Sequence, residues 1–246
     1  MAEDRSVLFR EGPRPSFTLT YGEHPDQLCD MYMPAAQSPF RRLPVVFLHG
    51  GYWRPEYNRS HARNAAGALA DAGWTTALAE YRRAPGNPDA TVADVVDAIK
   101  CVSRSLDHTK VIIVGHSAGG HLALLAAGTP HLPVHATVAL APLSNLVAAD
   151  VWDLDDGAVR SFLGTDPRER PDLDPSLLPR PVCPIKILHG QEDSIVPYRM
   201  SETYGSAFDL EVTGLPDTGH YEPIDPLSRA WTQVLEVLER LEAEVG

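Results

Sequence analysis

With 246 residues and 43% hydrophobic content, the chain is long enough to enclose one large α/β core or two small domains, and a single domain over residues 1–246 is the expectation. Against 21 Lys and Arg stand 33 Asp and Glu, a formal net charge of −12 that repels nucleic acid and anionic membrane surfaces and argues against both as partners. Cys29, Cys101 and Cys183 are odd in number and widely spaced, which fits buried thiols rather than a disulfide framework or a zinc site. No run reaches the ~18 apolar residues of a membrane span, and the start Met1-Ala2-Glu3-Asp4-Arg5 has no basic-then-apolar export signal, so a soluble cytoplasmic protein is expected.

In chain order, residues 17–20 and 28–33 read as two antiparallel strands at a sheet edge. Short apolar runs bounded by turn residues follow at 44–48, 74–79, 111–114, 136–140 and 185–188, with a further strand at 210–213. Between them, apolar residues recur at helical spacing over 60–72, 92–106, 118–127 and 198–208, and a last helix is predicted over 226–244. This alternation predicts an α/β fold: a mostly parallel sheet with helices on both faces, because right-handed crossovers put a helix between parallel neighbours. Functional groups then gather at the C-terminal ends of the strands.

Residues 144–184 break the pattern. They carry Asp153, Asp155, Asp156, Asp166, Asp172 and Asp174 among six prolines, with one short helix predicted over 158–164. The segment reads as an insertion, a small lid over the pocket. Its acidic residues fit no calcium loop, so a solvated surface is expected and no metal is assigned.

The chemistry is concentrated where the apolar strand 111–114 meets Gly115-His116-Ser117-Ala118-Gly119 and then an Ala/Leu-rich helical pattern. Gly-x-Ser-x-Gly between strand and helix is a nucleophile elbow, a tight turn that exposes the serine. A serine hydroxyl is a poor nucleophile at neutral pH and needs an imidazole to take its proton and a carboxylate to orient that imidazole. Asp193 follows the strand 185–188 in a Gly-x-x-Asp-x-x-Val-Pro loop, with Glu192 as its rival. His220 stands in the loop before the closing helix and is the candidate base. His116 points along the elbow and is assigned to packing or lining, with substrate contact included, while His121 and His189 are read as structural.

After the strand 44–48 comes His49-Gly50-Gly51-Tyr52-Trp53, where glycines let backbone N–H groups turn toward an oxyanion. Gly51 and Tyr52 are the expected donors, with Gly50 as the alternative, and the Ala118 N–H adds another. Tyr52 and Trp53 are also candidate contacts for an aromatic substrate. Arg54, Arg82 and Arg83 are candidate anchors for a carboxylate on charge alone.

Over residues 44–222 the oxyanion loop, the elbow, the acid loop and Gly219-His220 together resemble the α/β-hydrolase superfamily. Within it, His-Gly-Gly-Tyr-Trp with Gly-His-Ser-Ala-Gly-Gly-His-Leu-Ala looks like the kynurenine formamidase (arylformamidase) branch and its carboxylesterase relatives. The resemblance implies hydrolysis of N-formylkynurenine through a formyl-Ser117 intermediate, with no metal or organic cofactor. The implied partner is a small acyl substrate, and the oligomeric state is left open, a homodimer included. A carboxylesterase uses the same residues, and a hydrolase or cyclase of specialised metabolites is a further enzymatic alternative. A non-catalytic binding module of the same fold is the alternative of another class.

Overall fold

Eight strands form one sheet in the computed structural model, which describes residues 3–38, 43–181 and 183–244. In chain order they are β1 (Phe17–Thr20), β2 (Leu28–Tyr32), β3 (Val45–Leu48), β4 (Thr76–Ala79), β5 (Val111–His116), β6 (Val134–Leu140), β7 (Ile185–Gly190) and β8 (Val212–Leu215). They lie in the order β1-β2-β4-β3-β5-β6-β7-β8. β1 and β2 pair antiparallel at one edge, and β3 to β8 run parallel. The sheet is therefore the expected α/β arrangement, with β8 two residues later than its sequence pattern suggested.

The helices are α1 (Ser6–Phe9), α2 (Arg63–Asp71), α3 (Pro88–Ser105), α4 (Ala118–Gly128), α5 (Leu146–Val151), α6 (Ala158–Leu163), α7 (Arg199–Phe208) and α8 (Arg229–Ala243). Successive strand side chains point to opposite faces, and the core divides accordingly. Val46, Leu48, Val111 and Ile113 join α3, α4 and Met200 of α7 on one side. Val45, Phe47, Ile112 and Val114 join α2 and α8 on the other. In α8, the buried face is Ala230, Trp231, Val234, Val237, Leu238 and Leu241, a three-to-four-residue spacing that makes one apolar stripe. The Ser228 hydroxyl accepts the Trp231 N–H and caps its start. By contrast α4 is buried from Ala118 to Ala127, as a helix enclosed between a sheet and covering elements must be.

The segment 144–184 holds α5, α6 and three single turns of 3-10 helix, and it departs from expectation in two ways. Asp174 is fully buried rather than solvated, because its carboxylate accepts the N–H groups of Leu146 and Val147 at 2.9 and 3.1 Å and caps α5. Of the described residues in this segment, only Asp155 reaches the lining of the cavity described below. Phe162 and Leu173 instead pack into the core.

Candidate active site

β5 enters its turn and α4 leaves it within one residue, and that residue is Ser117. Its backbone stands at φ 56 and ψ −119, a strained conformation for a side chain with a Cβ. The turn closes this tightly because Gly119 lies against the end of β3: a Cβ there would stand 2.1 Å from Leu48 O and 2.4 Å from His49 O. Ser117 N donates to Leu140 O at 2.9 Å, which ties the turn to β6. Ala118 is the first residue of α4, so its N–H has no partner within the helix and adds to the positive end of the helix dipole.

Beside the elbow, the loop after β3 runs through Gly51, Tyr52 and Trp53 at φ 110, 49 and 55. Three consecutive positive φ values re-aim the peptide planes, and among the described residues no backbone acceptor takes the Gly51 or Tyr52 N–H. The loop is held at its root. The His49 ring stacks on Tyr81 at 4.5 Å and its Nε2 meets Glu80 Oε1 at 2.8 Å, while the Tyr81 hydroxyl donates to His49 O at 2.7 Å. Burial would raise the Glu80 carboxyl, but His49, Arg83 and the Arg59 N–H outweigh it and hold it down at about 2. On the other side the Tyr52 hydroxyl donates to Ile195 O at 3.0 Å, fastening this loop to the one that carries Asp193.

Asp193 sits buried between two imidazoles. Its Oδ2 accepts His220 Nδ1 at 2.6 Å and His189 Nε2 at 3.0 Å, and its Oδ1 accepts the N–H groups of Ile195 and Val196, both at 2.8 Å. His189 Nε2 also faces Val196 O, so its proton is on Nε2 and Nδ1 accepts the Ser201 hydroxyl at 2.7 Å. Burial alone would raise the Asp193 pKa. The charge of His220 and the hydrogen bonds of His189 and His220 reverse that and hold the carboxyl well below its ordinary range. Its rival Glu192 is exposed. With Nδ1 of His220 committed to Asp193, the free ring nitrogen is Nε2, and the Ser117 and His220 side chains line one cavity of about 300 Å³.

Gly51, Tyr52 and His116 line the same cavity. His116 also braces the His220 loop: its Nε2 donates to His220 O at 2.9 Å, and burial together with His220 pushes its pKa well down. Trp53 is placed elsewhere, which corrects its assignment to substrate contact. It is 3% exposed, stacks on Phe162 at 4.4 Å and meets the edge of His121 at 5.0 Å, and it is absent from the described cavity lining. His121 is structural, its Nε2 donating to Leu173 O at 2.8 Å. His189 does more than pack, since its Nε2 holds the Asp193 carboxylate. The candidate anchors Arg54, Arg82 and Arg83 are occupied by Asp155, Asp94 and Glu80.

The residues that the sequence reading missed lie at the start of the chain. Glu3 binds the Asp193 and His220 loops together, and Arg5, Leu8 and Phe9 form part of the cavity wall. Arg10 fixes this segment through a paired contact with Asp225 at 2.6 and 3.0 Å. Helical periodicity cannot reveal a four-residue helix, and nothing in Glu3 or Arg5 as residue types signals a distant partner. Among the described residues no cluster of His, Cys, Asp and Glu could hold a metal ion, and no helix is long and apolar enough to cross a membrane.

Comparison with known proteins agrees with this architecture. A kynurenine formamidase of Salmo salar is 29% identical over 228 residues, covering 85% of this chain and 76% of its own. A second, from Danio rerio, is 32% identical over 113 residues, covering 45% of this chain and 38% of its own length. A probable isoprenylcysteine alpha-carbonyl methylesterase of Oryza sativa subsp. japonica is 27% identical over 218 residues, 76% of this chain and 52% of its own. Among solved structures, the thermophilic esterase Est2 of Thermogutta terrifontis superposes with a TM-score of 0.76 at 23% identity, over 97% of both chains, a likeness of fold. The BD-FAE family model matches residues 29–208, most of the chain. This protein therefore belongs to the BD-FAE family and is an α/β-hydrolase resembling the formamidase and carboxylesterase branch.

Proposed function

We propose that the protein is a serine hydrolase that removes a small acyl group, and that it acts as an arylformamidase converting N-formylkynurenine to kynurenine and formate. The observation that carries the reading is the convergence of three loops on one cavity: Ser117 on its strained turn, His220 locked to Asp193, and the Gly51-Tyr52 backbone beside them. Likeness to the salmon kynurenine formamidase over 85% of the chain supports the choice of substrate.

In this mechanism Ser117 Oγ attacks the formyl carbon as His220 Nε2 takes its proton, and Asp193 stabilises the resulting imidazolium without accepting the proton itself. The tetrahedral oxyanion is met by the N–H groups of Gly51, Tyr52 and Ala118. Each such donor contributes roughly 3 kcal/mol in the transition state. His220 then passes its proton to the nitrogen of the leaving arylamine as the C–N bond breaks. Water, deprotonated by His220, attacks the formyl ester, and formate leaves as Ser117 recovers its proton. The setting proposed is the cytoplasm, with a small acyl compound as the substrate.

A small-molecule carboxylesterase is the second reading. It is favoured by the likeness to the rice methylesterase and by the exposed Phe9 and Tyr57 at the cavity wall, an apolar surface that a longer acyl chain could use. Intact mass after treatment with an organophosphonate tests the nucleophile: the wild-type adduct should be absent in Ser117→Ala. Relative kcat/KM then tests the substrate. N-formylkynurenine should exceed p-nitrophenyl acetate, and longer acyl esters should react more slowly. Undetectable formylkynurenine turnover with fast butyrate hydrolysis would replace the formamidase reading by the esterase one.

A further inference from the structure

The cavity holds a cation that the mechanism does not use. Arg5 lines the wall with its guanidinium over the Tyr221 ring, 5.9 Å from the centroid, and Tyr221 in turn meets the His220 ring edge-on at 5.0 Å. Among the described residues the Arg5 guanidinium has no hydrogen-bond or ion-pair partner, whereas Arg54, Arg82 and Arg83 are all engaged by carboxylates. The backbone on either side of it is fixed. Two residues earlier Glu3 accepts from Ser194 and from the His220 N–H, and five residues later Arg10 grips Asp225 and its carbonyl accepts the Asn64 amide. The described lining holds two acidic residues: Asp155 is taken by Arg54, and the charge of Glu56 acts on the same guanidinium. A planar fork of donors on a flat aromatic face, two ring contacts from the base, has the form of a receptor for a carboxylate carried by an aromatic group.

We propose that Arg5 is a specificity residue that binds a carboxylate on the leaving portion of the substrate, so that the enzyme selects anionic aryl esters or aryl formamides over neutral ones of the same shape. The inference rests on the reading of this cavity as the acyl-transfer site and holds whichever acyl group is removed. Selection has to come from a local contact because the chain as a whole, at −12, disfavours anions. The partner of Arg5 in the bound state is the substrate carboxylate, and Tyr221 and Leu8 line the wall beside the aryl group that carries it, directly or through a short chain.

The test compares 4-acetoxybenzoate with its neutral isostere 4-acetoxybenzamide. In Arg5→Gln the ratio of kcat/KM for the carboxylate over the amide should fall about 10–100-fold, the worth of a charge-assisted hydrogen-bonded pair, mainly through KM. Arg5→Lys should retain part of the preference, and added salt should shrink it in the wild type. A second arm measures the affinity of the inactive Ser117→Ala protein for both compounds by calorimetry, with and without Arg5→Gln. An unchanged ratio of affinities and of kcat/KM in Arg5→Gln overturns the proposal. The binding arm judges Arg5 even if neither ester is turned over, and phosphonate labelling of the wild type judges the catalytic reading separately.

Discussion

The Glu3 carboxylate accepts the backbone N–H of His220 at 2.7 Å through Oε2, and through Oε1 it accepts both the N–H and the hydroxyl of Ser194 at 2.7 and 2.9 Å. Ser194 follows Asp193, so one side chain from the start of the chain spans the two loops whose side chains meet in the Asp193–His220 hydrogen bond. A clamp on the backbone of both partners reduces the freedom with which they separate.

Glu3→Ala should therefore lower kcat by about 10–100-fold while KM changes little, since a small misplacement of the base costs rate rather than binding. Glu3→Gln should fall between, because an amide has one acceptor oxygen and presents donors where the second oxygen stood. Steady-state kinetics on p-nitrophenyl acetate beside thermal melts makes the check. Equal losses in melting temperature and activity would reduce Glu3 to a structural tie.

At the acid, Asp193→Asn should lower kcat by roughly 10⁴-fold with the fold retained, as the amide no longer holds His220 with its proton on Nδ1. Glu192→Gln should leave kcat unchanged. His189→Gln should act through Asp193 alone and lose only about tenfold. A collapse of activity in Glu192→Gln with Asp193→Asn still active would move the acid to its neighbour.

For the oxyanion loop, Gly51→Ala should cost about 10²–10³ in kcat. The residue stands at φ 110, and an added Cβ would come within 2.4 Å of the Tyr57 Cβ. The Tyr57 Cβ is fixed to its own backbone, so the loop has to shift to admit the new Cβ and the Gly51 peptide plane turns with it. Tyr52→Phe should lose only about 1 kcal/mol of stability, the worth of its bond to Ile195 O. Circular dichroism and kinetics on the same preparations separate the two effects.

Trp53→Ala should destabilise by about 3–5 kcal/mol, because it removes a buried ring stacked on Phe162. Denaturant unfolding gives that number. Trp53→Phe should fold and keep the wild-type KM for N-formylkynurenine. A large rise in KM without loss of stability would return Trp53 to the substrate.

Stability should rise with pH between about 4 and 6.5. Burial holds His121 down at about 4 and His61 at about 3, each below the 6.5 of a free imidazole. As pH falls through this window the unfolded chain binds protons that the folded chain refuses, so folding weakens. His121 is fully buried and contributes up to roughly 3 kcal/mol to the difference across its window. His121→Gln keeps a donor for Leu173 O and removes the titration, so its urea midpoint should depend less steeply on pH than the wild type. An unchanged slope would show that His121 does not carry the acid sensitivity.

The alternation of apolar runs and helical spacing was enough to place β3 to β7 and α3, α4, α7 and α8, because burial on both faces of a parallel sheet leaves a strong local pattern. Ser117, Asp193 and His220 were legible for a similar reason. Each stands in a short turn next to a strand end, and the turn's own residues mark it, as Gly115 and Gly119 mark the elbow. What tertiary structure alone decided concerns contacts between residues far apart in the chain. Trp53 turned toward Phe162 and His121 because three successive positive φ values carry it past the cavity, and no residue type announces that path. Asp174 is a buried cap rather than a solvated acid because it meets the start of α5, 28 residues away. Glu3 meets His220 across 217 residues, and Arg5 reaches the cavity by the same route. Local sequence sets backbone conformation and the sidedness of each element, whereas such pairings depend on how the elements close in space, and hydrogen bonds over that separation leave no periodic trace in the chain.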